Sequence, residues 1–132
     1  MGRILSISYD PQLLLTRQML LQAMGHEVVS AEGFAEALEQ CENIHDFDLI
    51  VLGHTVPHKD KEALIRHCKA QGSSSLLALL RPHEPPLDDG TTSVESGDPR
   101  GFIEAVRKLV PTLAVFVFSS SLILPELAHR LG

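Results

Sequence analysis

A chain of 132 residues has room for one domain built around one sizeable core. Apolar residues make up 44% and charged residues 21%, a balance that excludes a disordered chain. The net charge of -6, with no Lys/Arg run to form a basic patch, excludes non-specific nucleic-acid binding.

The first residues, MGRILSIS, carry one positive charge and a short apolar run, which is not the pattern of a signal peptide. The expected location is therefore the cytoplasm. Cys41 and Cys68 belong to no metal or redox motif and read as two buried thiols in a reducing compartment. Ile4 to Ser8 is a short apolar strand. Asp10-Pro11 follows it, an acceptor for free helix amides and then a residue that needs no N–H at the first helical position. Leu13, Leu20 and Met24 recur at helical spacing until Gly25, a left-handed stop. His26 to Ser30 is a second strand. Phe34, Ala37, Leu38 and Cys41 then lay one apolar stripe along a second helix.

Asp48 to Leu52 is apolar almost throughout, as a strand buried on both faces must be. A loop with Pro57 leads to a third helix over Lys61 to Ala70, and Leu76 to Leu80 is the fourth strand. Arg81 to Gly90 reads RPHEPPLDDG, whose crowded prolines cannot sustain a regular helix. Thr91 to Val94 is a short fifth strand. Asp98-Pro99 repeats the helix-start signal before Phe102, Val106, Leu109 and Val110, the stripe of a last helix. Strand and helix alternate five times, with the fourth helix missing or reduced to a turn. That pattern predicts a parallel sheet with helices on both faces and functional groups at the carboxyl ends of the strands.

Three segments, RILSISYDPQLLLTRQMLLQAMGHEV, DLIVLGHTVPHKDKEAL and SGDPRGFIEAVRKL, resemble the receiver domains of two-component response regulators. With what lies between them they cover about residues 3 to 110. The resemblance implies a flavodoxin-like (βα)5 fold with sheet order 2-1-3-4-5, and residues 111 to 132 as a separate hydrophobic tail. Receivers hold Mg²⁺ with two acids after the first strand, and an Asp ending the third strand attacks phosphorus. A Thr or Ser after the fourth strand and a Lys after the fifth stabilise the growing charge.

On this sequence the acidic pair falls on Ser8 and Tyr9, and the nucleophile falls on Gly53. The Thr/Ser position is Arg81, the Lys position is Glu95, and the aromatic switch position is Thr92. Only Asp10, next to the metal pair, is acidic, and no Asp or Glu lies between Leu49 and Lys59. No catalytic residue, metal or cofactor is therefore expected. Arg81 and Glu95, on strands adjacent in the family's order, are candidates for an ion pair; pairing of Arg81 with Asp10 competes for the same side chain. His54 and His58, with Asp10, form an alternative metal or small-ligand site, set against exposed loop histidines.

The tail, PTLAVFVFSSSLILPELAHRLG, carries no charge from Leu109 to Pro125 but is too short and too interrupted for a membrane span. It could dock on the body, meet a partner or touch a membrane. The function expected is that of a stand-alone, phosphorylation-independent receiver-like protein acting by protein–protein contact. Its expected partners are a histidine kinase, met through the first helix, or another receiver.

Overall fold

The computed structural model describes residues 2–72, 75–87 and 90–111. The tail, apart from Pro111, lies outside the described residues. Among the described residues, five strands form one parallel sheet in the order β2-β1-β3-β4-β5. They are β1 (Arg3–Ser8), β2 (Glu27–Glu32), β3 (Leu49–Leu52), β4 (Ser75–Leu80) and β5 (Thr92–Glu95). The helices are α1 (Pro11–Ala23), α2 (Gly33–Cys41), α3 (His58–Gln71) and α4 (Pro99–Leu109), with a 3₁₀ turn at Ile44–Asp46. No helix lies between β4 and β5 among the described residues, as the prolines dictate.

Alternation along the strands divides the core. Leu5, Ile7, Ile50, Leu52 and Ala78 face α2 and α3, where Ala37, Cys41, Leu64, Ile65 and Cys68 close one layer. Ile4, Leu49, Val51, Leu77 and Leu79 face the other way, onto Leu21 of α1 and Phe102 and Val106 of α4. β3 is buried along its whole length, so its near-continuous apolar sequence is a consequence of having helices on both sides.

The helix ends follow the punctuation of the sequence. Asp10 accepts from the amides of Gln12 (2.9 Å) and Leu13 (3.4 Å), with Pro11 at the first helical position of α1. Asp98 accepts from Gly101 (2.9 Å) at the start of α4, ahead of Pro99 in the same role. Gly25 takes φ +96°, and the amides of Gly25 and His26 return to the carbonyls of Gln22 and Leu21, closing α1. The third helix begins at His58, three residues ahead of the expected start at Lys61. His58 is thus on the first helical turn and not in the loop. No helix among the described residues is long and apolar enough to cross a membrane.

Candidate functional site

The carboxyl ends of β1, β3, β4 and β5 deliver the site positions to one edge of the molecule. After β1, Ser8 is fully buried and its hydroxyl meets that of Thr55 at 2.9 Å. Thr55 Oγ1 accepts from the Tyr9 amide (2.9 Å), so its own proton is free for Ser8, and Ser8 in turn donates to the Asp10 carbonyl (3.2 Å). The Tyr9 hydroxyl donates to Asp60 Oδ2 at 2.7 Å. Burial, helped by that carboxylate, pushes the phenol above its ordinary value. The two positions expected to hold metal are here a serine hydroxyl bonded to Thr55 in the loop before α3 and a phenol bonded to Asp60 on the first turn of α3.

Asp10 is committed as well, because its carboxylate caps α1 and forms no ion pair with Arg81. Replacing Asp10 with Ala should lower stability by ~1 kcal/mol, the usual cost of a lost cap, in denaturant unfolding. The residues at this edge do not fit Mg²⁺. Both ligand positions, Ser8 and Tyr9, carry uncharged hydroxyls, and the adjacent acid Asp10 is spent on helix amides.

At the nucleophile position, Gly53 donates its amide to the Ile7 carbonyl at 2.9 Å. A Cβ on Gly53 would lie 2.9 Å from that carbonyl oxygen and 3.0 Å from Nη1 of Arg17. The space of a nucleophilic side chain is thus closed by backbone on one side and by a guanidinium on the other. Arg17 comes from α1, on the same stripe as buried Leu14 and Leu21, and its charge lies 5.9 Å from the centre of the Phe102 ring. Its Nη1 is buried with no hydrogen-bond partner among the described residues, and burial lowers its pKa. Nδ1 of His54 is likewise buried without a partner among the described residues. Burial first, then the charges of Arg17, Lys61 and Arg81, hold this imidazole below its ordinary pKa, opposed by Asp10. The electrostatics are therefore cationic, the reverse of a metal-binding acidic pocket.

Arg81 does not pair with Glu95. In the register of β4 and β5, Leu80 stands opposite Glu95, so alternation sends Arg81, one residue on, to the other face. Its ion partner is Glu84, at 3.7 Å from Nε, and the Arg81 amide donates to the same carboxylate at 3.0 Å. Glu95, the last residue of β5, and Thr92, its first, are both exposed.

Glu84 is the centre of a cluster that the sequence reading missed. Lys61, fully buried on α3, donates to Oε1 and Oε2 of Glu84 (both 2.9 Å) and to the Leu79 carbonyl (2.7 Å). Three acceptors thereby serve the three N–H bonds of one ammonium. Nδ1 of His58 lies 2.9 Å from Glu84 Oε2, and its Nε2 lies 3.4 Å from Glu62. Burial raises the Glu84 carboxyl, but the hydrogen bonds from Lys61, the Arg81 amide and His58 together outweigh it and hold the group at about 2.

His58 is therefore engaged by carboxylates and does not converge with His54 and Asp10. No group of three or more candidate metal ligands is found among the described residues. A signal for the missed residues existed. Lys61 shares the i, i+3, i+4, i+7 stripe of Leu64, Ile65 and Cys68, and Arg17 shares that of Leu14 and Leu21. A charge on a buried stripe requires a partner.

No family model matches the sequence, and no curated protein matches it either. Solved structures do match its fold. The receiver domain of the Francisella response regulator 1452 superposes with a TM-score of 0.70 at 18% identity, covering 83% of this chain and 96% of that one. The response regulator TrrA from Thermotoga maritima, solved with Mg²⁺ and BeF, gives 0.69 at 22%, covering 83% and 100%. The receiver domain of the hybrid histidine kinase CckA gives 0.68 at 24%, covering 82% and 98%. TrrA has also been solved in complex with the histidine kinase ThkA, and that structure gives 0.67 at 22%, covering 83% and 99%. The fold is that of a response-regulator receiver domain, and the sheet order matches the flavodoxin-like architecture.

Proposed function

We propose that this chain is a receiver-like signalling module that works by protein–protein contact and without phosphorylation. It is not an enzyme, and it acts in the cytoplasm within, or derived from, a two-component system. The reading rests above all on Gly53, which offers no nucleophile and has Arg17 where an attacking carboxylate would need to stand. A guanidinium at that point repels a divalent cation, and the hydroxyl-bearing Ser8 and Tyr9 cannot replace two carboxylates around it.

The contact surface is assigned to α1. Its inner stripe is buried, yet Leu15 and Met19, one turn apart, are 58% and 61% exposed on its outer face. Large apolar groups on the outside of a helix whose inside is already satisfied suit a partner helix better than water. The complex of the structurally similar TrrA with a histidine kinase supports a kinase as the class of partner. Another receiver is the alternative partner.

The test is an amide NMR titration with Mg²⁺ and beryllofluoride, the mimic of an aspartyl phosphate. The spectrum is expected to stay unchanged at the ends of β1, β3 and β5. Saturable shifts around Asp10, Gly53 and Glu95 would show that the pocket still takes an activated phosphate mimic and would overturn the reading.

A further inference from the structure

The chain has two cysteines, 27 positions apart, and they meet. Cys41 is the last residue of α2, Cys68 lies on the inner stripe of α3, and their sulfurs are 3.3 Å apart. Both are buried in the layer formed by Ala37, Phe47, Leu64 and Ile65. We propose that Cys41 and Cys68 form a reversible intramolecular disulfide that ties α2 to α3 when the protein meets a hydroperoxide.

The geometry favours this pair over any intermolecular link. A disulfide needs the sulfurs at about 2.05 Å, so closure calls for a shift of a little over ~1 Å. Cys41 stands where α2 ends and the chain turns, the place in a helix that yields most readily. The placement of the two sulfurs also sets the chemistry: opening of the end of α2 exposes Cys41 before Cys68, which lies within α3. Cys68 donates its S–H to Cys41, which favours the Cys41 thiolate, while burial and the same contact hold the Cys68 thiol up.

Cys41 is accordingly the attacking sulfur and Cys68 the resolving one. The Cys41 thiolate attacks one peroxide oxygen; the S–O bond forms, the O–O bond breaks, and the departing hydroxide takes a proton to become water. Cys68 then gives up its proton and attacks the Cys41 sulfur; the S–S bond forms, the S–O bond breaks, and a second water leaves. Two thiols lose two electrons, and the peroxide gains them. Opening of the last turn of α2 admits the small oxidant, so burial makes the reaction slow without forbidding it.

The consequence reaches the site edge, because α3 also carries His58 and Lys61, which hold Glu84. The test exposes the full chain to hydrogen peroxide and reads intact mass and thermal unfolding, before and after dithiothreitol. The expected result is a loss of about 2 Da from monomer and a midpoint raised by about 10 °C, both reversed by the reductant. Cys41→Ala and Cys68→Ala, prepared separately, are expected to show neither change. Retention of both thiols, stable oxygen addition without the mass loss, or disulfide-linked dimers in place of the monomeric product would each overturn the proposal.

Discussion

Replacing Glu84 with Ala is expected to cost ~3–5 kcal/mol in denaturant unfolding, more than any other single change at the site edge. The reason lies in what is left behind. Lys61 is 0% exposed, and two of its three hydrogen bonds go to this one carboxylate, whose side chain is 3% exposed. Without Glu84 a buried ammonium keeps only the Leu79 carbonyl, and His58 and the Arg81 amide lose an acceptor as well. The double variant Lys61→Met/Glu84→Leu should instead recover most of the loss, since an apolar pair removes both desolvation costs. A single Glu84→Ala variant as stable as wild type would show that the pair is not formed.

The pH dependence of this cluster follows from the same contacts. The Glu84 carboxyl is held at about 2, against an ordinary 4.5, so the unfolded chain binds its proton first. The stabilisation is fully present above pH 4.5 and is lost as pH falls from there through about 2. Comparing acid titrations of wild type and Glu84→Gln isolates this contribution from the other carboxylates. The wild type should lose its advantage over that window as the pH falls.

What the cluster supports is the segment that replaces a helix. The prolines of residues 81–87 forbid regular hydrogen bonding, so the segment is held by side chains. Glu84 binds into α3, and Leu87 packs on the α2–α3 side of the core. The absence of the helix was legible in the sequence because proline acts locally. So were both Asp-Pro starts, the Gly25 stop and the buried central strand, each a matter of adjacent residues. The Lys61–Glu84 pair was not, since its members are 23 residues apart and nothing in their neighbourhoods names the partner. The expected Arg81–Glu95 pair fails for a subtler reason. The strands are neighbours as expected, but an offset of one residue in register puts the two side chains on opposite faces.

Restoring an aspartate at the family's nucleophile position should not restore phosphotransfer. Gly53→Asp is expected to take no label from acetyl phosphate with Mg²⁺, because Ser8 and Tyr9 remain non-acidic and Asp10 remains in the cap of α1. Its stability should be as telling as its chemistry. Any Cβ on Gly53 lies 2.9 Å from the Ile7 carbonyl oxygen, so the strands must part slightly, and Gly53→Ala should cost ~1–3 kcal/mol. Asp suffers the same crowding but brings a carboxylate to Arg17, whose Nη1 is buried with no acceptor among the described residues. Gly53→Asp should therefore be the more stable of the two variants, reversing the usual expectation that a buried charge is worse than a methyl group. The advantage should vanish when Arg17 is Met, and a double-mutant cycle between the positions measures it directly. A coupling indistinguishable from zero would mean that Arg17 does not stand over Gly53. The electrostatic argument against a phosphorylated state would then fail along with it.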